Sequence, residues 1–469
     1  MKALVTAILI CTTTVCLSQK IYSNIGMSDE PIFKTKGDSI QYSNLQIILS
    51  KPFANSTVPY NLDSLFKLRN QLMQHGILGY RKVYRPNPDF FSYENLNDTT
   101  NYDGIKELSI SKGRFRKLPA KVFKCKKLEA LQLTNVSITR IQRRANRLTN
   151  LKTIILLNNT PAKSLKLTKN NKVETLIIRG EKSHYLPHSY RKFKSLISLD
   201  LSYNSIVKFP TEANHNKKLK ELKLTNNLIT LNNDEIKPNP YLEKLDLTKN
   251  KLIKIPASIK NLSTLKTLKF NFNSITEIAP EISLLTTLEN LSLYNNQLCS
   301  IPSGVYQLKF LKEIDLYYNQ IEKLDERVIN WQNLEVLYLA FNKVYALSDN
   351  LGKLKNLQEL YLHDNRLSTL PDNLSGLAKL TVLRINNNYM PLVPTSIFQL
   401  SNLENLDISK NQIQSLPANF FNIEHLKILA LVANPWDKQT KEMLPAKAKE
   451  LRAREVIVHL NSFEEDIEY

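Results

Sequence analysis

Eight rings stand in the middle of the chain: Phe272, Tyr294, Tyr317, Tyr318, Tyr338, Phe341, Tyr361 and His363. Tyr294 and Tyr317 are 23 residues apart, and so are Tyr338 and Tyr361. Interleaved with them are Glu313, Asp315, Glu359, Asp364 and Arg384. Residues of these types recognise by contact. A ring offers large area at small entropy cost, a phenol adds direction, and a charge fixes orientation. Sets that make or break bonds are missing from the sequence. His184-x-x-x-His188 lacks the glutamate of H-E-x-x-H, and Pro187 keeps it off a regular helix, so zinc chemistry is not expected. There is no G-x-x-x-x-G-K-[ST] run to cradle a phosphate and no serine set in a nucleophile elbow. A non-enzymatic chain without metal or cofactor is expected.

The spacing of the rings belongs to a larger periodicity. Asparagine recurs every 23 residues, as Asn204, Asn227, Asn250, Asn273, Asn296, Asn319, Asn342, Asn365, Asn388, Asn411 and Asn434. Around each stands an L-x-x-L-x-L-x-x-N frame, plainest in Leu334-Glu-Val-Leu337-Tyr-Leu339-Ala-Phe-Asn342 and in Leu357 to Asn365. Within L-x-L the side chains alternate about a short strand, so Leu360 and Leu362 turn inward while Glu359, Tyr361 and His363 turn out. One unit cannot bury its own leucines. Stacked units bury them together, in a column covered by one parallel sheet. The asparagine falls where the chain leaves the strand, and its amide carries the donors and acceptor that buried turn groups need. The rest of the unit reads x-L-x-x-L-P-x-x-L-x-x-L, with Pro119, Pro187, Pro210, Pro256, Pro302, Pro371, Pro394 and Pro417 at the proline position. Proline fixes φ at the entry to a short 3₁₀ or α turn, where its missing N–H is no loss.

Fourteen full units cover residues 105–425, starting at Ile105 and ending with the unit from Leu403, and a truncated fifteenth begins at Leu426. Gly113, Val136 and Glu181 replace the asparagine in the first, second and fourth. The pattern resembles the leucine-rich repeat superfamily, in its 23-residue L-P-x-x-L-x-x-L class found in many bacterial proteins and in Ras-group repeat proteins. The resemblance covers roughly residues 105 to 440. It implies an α/β fold, a right-handed solenoid with a parallel concave sheet of about fifteen strands, acting as a ligand- or protein-binding scaffold.

The ends lack the frame. Residues 1–18 combine Lys2, a short apolar run and the small residues Cys16 and Ser18, as a cleaved secretory signal does. The run is too short for a membrane anchor, and bulky Val15 disfavours acylation of Cys16. Residues 19–104 are expected to cap the leucine column, with a helix over Leu62 to His75 started by Asn61 and closed by Gly76. Residues 426–469 should form the other cap, with a helix from about Lys438 to Arg454 and an acidic tail at Glu464 to Glu468. After cleavage only Cys125 and Cys299 remain, too far apart in a solenoid to bond. An exported chain without disulfides, rich in Lys, Asn and Ile, reads as bacterial and as periplasmic, outer-surface or secreted.

Four outward positions per unit line the sheet: the third, fifth, seventh and eighth of the frame. In units eight to twelve, seven of these twenty are aromatic, against one (Tyr203) of forty elsewhere. A stiffening ladder would not favour five units over ten, so these residues are the candidate site of a protein partner. Charge offers a second hypothesis. Residues 101–270 carry net +24 and residues 271–469 net −6. The basic half would suit an anionic surface glycan or lipid, as in an adhesin. Many of its charges fall on convex positions such as Lys121, Arg143 and Arg147, however, where a merely solvated face is the simpler account. Nucleic acid is not expected for an exported chain.

Overall fold

A frame that buries two leucines per strand has to stack, and the stacking is visible in the register. In the computed structural model the described residues are 27–33, 77–84 and 87–460, with short breaks at 88, 114, 159–165, 168, 170–171, 181–183, 185–187 and 232–235. The expected signal at 1–18, the expected helix over Leu62 to His75, the acidic tail, Glu181 and Pro187 lie outside them.

Each L-x-L places its central leucine beside the leucine of the next unit. Leu291, Ile314, Leu337, Leu360 and Leu383 are successive register partners in strands 290–292, 313–315, 336–338, 359–361 and 382–384. All are at most 1% exposed, so one column runs through the molecule. Seventeen parallel strands form this sheet, against about fifteen expected. The extra strands come from flanks without a leucine frame: Phe91–Ser92 pairs with Leu108 and Ser109, and Ile457–His459 pairs with Ile428–Ala430. Among the described residues each pairs on one side only, so the sheet is open. At the second end Arg452 donates to the outward carbonyl of Val458, which blunts an edge that would otherwise invite pairing. Arg452 belongs to the helix Lys438–Ala453, started by Asp437 and packed through Leu444, Ala448 and Leu451. Apart from the solenoid, Met27–Phe33 pairs antiparallel with Ile77–Tyr84.

The convex segments are mostly five-residue 3₁₀ turns; Ala257–Asn261 and Thr395–Gln399 begin after a proline, whereas Glu326–Asn330 and Asp349–Lys353 begin after Asp325 and Ser348, whose side chains cap them. They pack tightly. A Cβ on Gly352 would lie 2.0 Å from the Asn373 carbonyl of the next unit.

The asparagines form a continuous ladder. Asn319 donates to the carbonyls of Leu316, Leu293 and Tyr317 at 3.1, 3.0 and 3.3 Å, while its Oδ1 accepts the Leu298 N–H at 3.1 Å. Asn227, Asn250, Asn296, Asn365, Asn388 and Asn411 repeat the arrangement, buried, and half-buried Asn273 and Asn342 do the same. Asn204 and Asn434 donate likewise across one repeat, to Ile178 and Ile408. The turn has a cost at the preceding residue. At every ladder step the residue before the asparagine is left-handed, including Tyr203, Phe272, Tyr318 and Phe341 at φ 60, 54, 54 and 53°. Asn226, Asn295 and Asn387 tolerate that conformation well, whereas bulky rings do not.

A second ladder runs along the rim, at the residue after each leading leucine. Lys and Glu face each other across adjacent repeats: Lys106–Glu129, Lys152–Glu174, Lys220–Glu243, Lys266–Glu243, Lys312–Glu289 and Lys427–Glu404, within 2.7–3.9 Å. Exposed pairs of this kind add little stability, but they hold register.

Candidate functional site: the aromatic stretch of the concave sheet

Strand alternation turns the fifth and seventh residues of each frame away from the leucine column, and the left-handed turn carries the eighth to the margin of the same face. The eight rings form one connected network across five repeats. Phe272 meets Tyr294 at 4.9 Å between ring centres, and Tyr294 meets Tyr318 at 5.3 Å. Tyr318 stacks on Phe341 at 4.2 Å with planes 6° apart. Phe341 contacts Tyr317 and His363, and both of these contact Tyr361. Tyr338 stacks on Tyr361 at 5.0 Å and meets Tyr317 at 5.3 Å. Tyr338 and Tyr361, expected side by side from their shared fifth position, are direct register partners; Tyr294, expected beside Tyr317 from their shared seventh position, meets the neighbouring Tyr318. Phe272 and Tyr318 are exposed at 40% and 41%, and the other rings are half-buried.

The polar members complete the surface. In register, the fifth positions read Ser292, Asp315, Tyr338, Tyr361, Arg384 and Asp407, and the third positions Asn290, Glu313, Val336, Glu359 and Val382. Tyr361 donates its hydroxyl to Glu359 at 2.7 Å, and burial, reinforced by this bond, raises the phenol above its usual range. Asp315 accepts the Tyr317 N–H at 3.2 Å and the Ser292 hydroxyl at 2.8 Å. Burial nevertheless pushes its carboxyl up to about 6. Glu313 is raised as well, by desolvation and the Glu359 charge. Burial, helped by Arg384, pushes His363 down to about 4, leaving it neutral at pH 7. The Arg384 guanidinium lies 5.8 Å from the Tyr361 ring centre. These groups are spread over a sheet face and converge on no common point where a reacting atom would sit. Their arrangement suits contact recognition. Among the described residues no group of three or more His, Cys, Asp or Glu could hold a metal ion.

The first repeats present a different concave face. Gln132, Thr134, Leu157, Arg179 and Asp200 occupy outward positions there, yet are at most 3% exposed. Asn87 donates its N–H to Gln132 at 3.2 Å, so the chain ahead of the first strand lies against the concave side of the second repeat. Arg179 is ion-paired to Asp200. That pair went unnoticed in the sequence, although an Arg and an Asp one strand apart in adjacent outward rows was a readable signal.

The comparisons with known proteins follow the geometry. A model described as a leucine-rich repeat region matches residues 282–392, and the leucine-rich repeat model matches residues 241–262 and 402–423. A leucine-rich repeat protein of Leptospira interrogans superposes with a TM-score of 0.61 at 27% identity, covering 78% of this chain and 99% of that one. An internalin of Listeria monocytogenes gives 0.55 at 21%, covering 72% and 88%. The ectodomain of an Arabidopsis thaliana receptor kinase, solved with Casparian strip integrity factor 2, gives 0.51 at 23%, covering 76% and 52%. A search of curated proteins found no match. This chain is a leucine-rich repeat protein, an α/β solenoid of a kind that commonly serves as a protein-binding scaffold. No helix among the described residues is long and apolar enough to cross a membrane.

Proposed function

We propose that the chain is a non-catalytic, exported bacterial scaffold that takes a protein partner on the concave face of repeats eight to twelve. The observation that carries this reading is the ring network itself. Eight rings touch in one chain on the outward side of the sheet, where the leucine column gains nothing from them. Tyr318 and Phe341 moreover hold a left-handed backbone that a smaller residue would occupy at less cost. Rings kept outward at such a cost suit an interface centre, where Tyr is enriched. The anionic glycan or lipid reading rests on the basic half. Its support is weaker, since the concave residues of the first repeats are buried, Arg179 already has Asp200, and of the concave lysines further on, Lys223 is paired with Glu221, which leaves Lys244, Lys249 and Lys269 beside the convex and rim lysines.

Panning a library of random decapeptides tests the proposal. Peptides selected on the wild-type chain should bind Tyr317→Ala, Tyr338→Ala and Tyr361→Ala variants more weakly by about 1–4 kcal/mol each. Their affinity should hardly change between low and moderate salt. Selected peptides that bind all three folded variants normally would refute it. Binding that collapses with salt would favour the basic half.

A further inference from the structure

We infer a second binding site, for a linear acidic polysaccharide, where the first three repeats enter their convex turns and Lys117, Arg140 and Lys166 stand in one row. It is separate from the concave patch and gives the glycan reading of the basic half a definite place. The first support is register. Lys117 pairs with Arg140, and Arg140 with Lys166, as direct partners on adjacent parallel segments, and all three residues are exposed. Like charges directly opposite one another destabilise a sheet. Elsewhere the same kind of segment avoids them: Lys254 is the register partner of Glu277, and Lys323 of Ala346. A merely solvated face needs no such row, because interspersed signs hydrate as well and repel less.

The second support is the lack of local counter-charge. Residues 108–173 hold 17 Lys or Arg and one acid, Glu129, which is ion-paired to Lys106. Among the described residues no carboxylate pairs with the row. The turns that follow carry further cations, and neutral groups earlier in the chain hold them in place. Lys121 donates to Asn97, Lys124 lies 5.0 Å from the Tyr102 ring centre, and Arg144 lies 4.8 Å from that of Phe123. Asp98 and Asp103, in the cap beside these turns, form no ion pair with them among the described residues. Side chains held in this way lose less freedom when a ligand arrives, while their charge stays uncompensated.

The arrangement selects the class of ligand. The row advances by about 4.8 Å per strand, close to the advance of one sugar ring in an extended polysaccharide. A chain lying along the solenoid axis can therefore offer each cation one carboxylate or sulfate, and the bonds formed are charge-assisted. A single-stranded nucleic acid that binds by stacking finds no free ring here, because Lys124 and Arg144 already cover Tyr102 and Phe123. A membrane surface calls for exposed apolar side chains beside the cations. Among the described residues from 87 to 196, no large apolar side chain is exposed.

Hexagalacturonate, with a carboxylate on every ring, and a heparin hexasaccharide, with sulfates, are the probes, read by titration calorimetry against neutral cellohexaose. At least one acidic hexasaccharide should bind the full chain, and cellohexaose should not. The Lys117→Gln/Arg140→Gln/Lys166→Gln variant should bind it roughly tenfold more weakly and lose most of the salt dependence. That variant should melt no lower than wild type, because the charges removed repelled one another. A control with the same loss of charge on exposed lysines outside the row, Lys208→Gln/Lys217→Gln/Lys218→Gln, should bind within about twofold of wild type. Equal losses in the two triple variants, a row variant that melts well below wild type, or failure of both acidic hexasaccharides to bind would overturn the site. Tighter binding of duplex RNA or of phosphatidylglycerol vesicles than of either hexasaccharide would overturn it as well. The concave-face reading stands or falls separately, since Tyr338→Ala should bind the hexasaccharide as wild type does.

Discussion

Replacing Asn319 by leucine puts a number on the asparagine ladder. The amide makes four bonds, but they are not equally replaceable. The Leu293 carbonyl also accepts from Asn296, the Leu316 carbonyl from Asn342, and the Tyr317 carbonyl from the Asn295 N–H. Each keeps one partner when Asn319 is lost. The Leu298 N–H has only Oδ1 of Asn319, at 3.1 Å in a buried turn, and is left with nothing. Orphaning one buried donor costs about 1–3 kcal/mol, and the thinned carbonyls add roughly another 1, so the expected loss is about 2–4 kcal/mol. Urea unfolding followed by circular dichroism measures it, provided the solenoid melts in one step. A parallel Asn319→Asp variant should recover part of the loss, because it keeps the acceptor for Leu298. A loss below about 0.5 kcal/mol with leucine would show that water or backbone relaxation replaces the amide, and the ladder would not be what holds the turn.

Other expectations concern the two sides of the strand. Phe341→Asn should leave stability within about 1 kcal/mol of wild type, because relief of the left-handed turn offsets the lost stack on Tyr318. Leu339→Ala, two residues away but fully buried, should cost about 2–5 kcal/mol in the same denaturation assay. Gly352→Ala should destabilise by roughly 1–3 kcal/mol, since its new methyl would collide with the Asn373 carbonyl. Two titrations should oppose each other. Asp315 titrates higher in the fold, at about 6, than when unfolded, so its contribution to stability grows as pH falls from about 6 toward 4. His363 titrates lower, at about 4, so its contribution shrinks as pH falls from about 6.5 toward 4. Relative to wild type, Asp315→Asn should therefore gain at pH 7 and lose that gain in acid, while His363→Gln should gain in acid. Each half-buried group is expected to contribute about 1 kcal/mol once solvent screening is allowed for, read as melting temperature against pH. Parallel curves for all three proteins would refute both assignments.

Most of the solenoid was legible because its signal repeats. A leucine column and a buried turn amide impose the same demand every 23 residues, and a demand met eleven times over cannot hide. The outward direction of Tyr338 and Tyr361 followed from strand alternation alone. Their stacking did not, because ring tilt depends on rotamers and on neighbours one repeat away. The left-handed residue before each asparagine was hidden for another reason: Asn226, Asn295 and Asn387 announce it, but Tyr318 and Phe341 in the same place conceal it. The rim pairs were present in the sequence as alternating Lys and Glu and gained meaning only when the register was known. Phe91–Ser92 and Ile457–His459 could not be anticipated, since an edge strand borrows its partner's leucines and needs no frame of its own.

The central claim is that the partner touches the rings of repeats eight to twelve, and hydroxyl-radical footprinting with mass spectrometry tests it directly. Oxidation of each ring is compared with and without a saturating selected peptide. Tyr318, Phe341, Tyr338 and Tyr361 should lose reactivity severalfold, while Tyr345 and Tyr389, 57% and 53% exposed and outside the network, should be unchanged. Protection falling within residues 101–270, with the eight rings as reactive as before, would contradict the account.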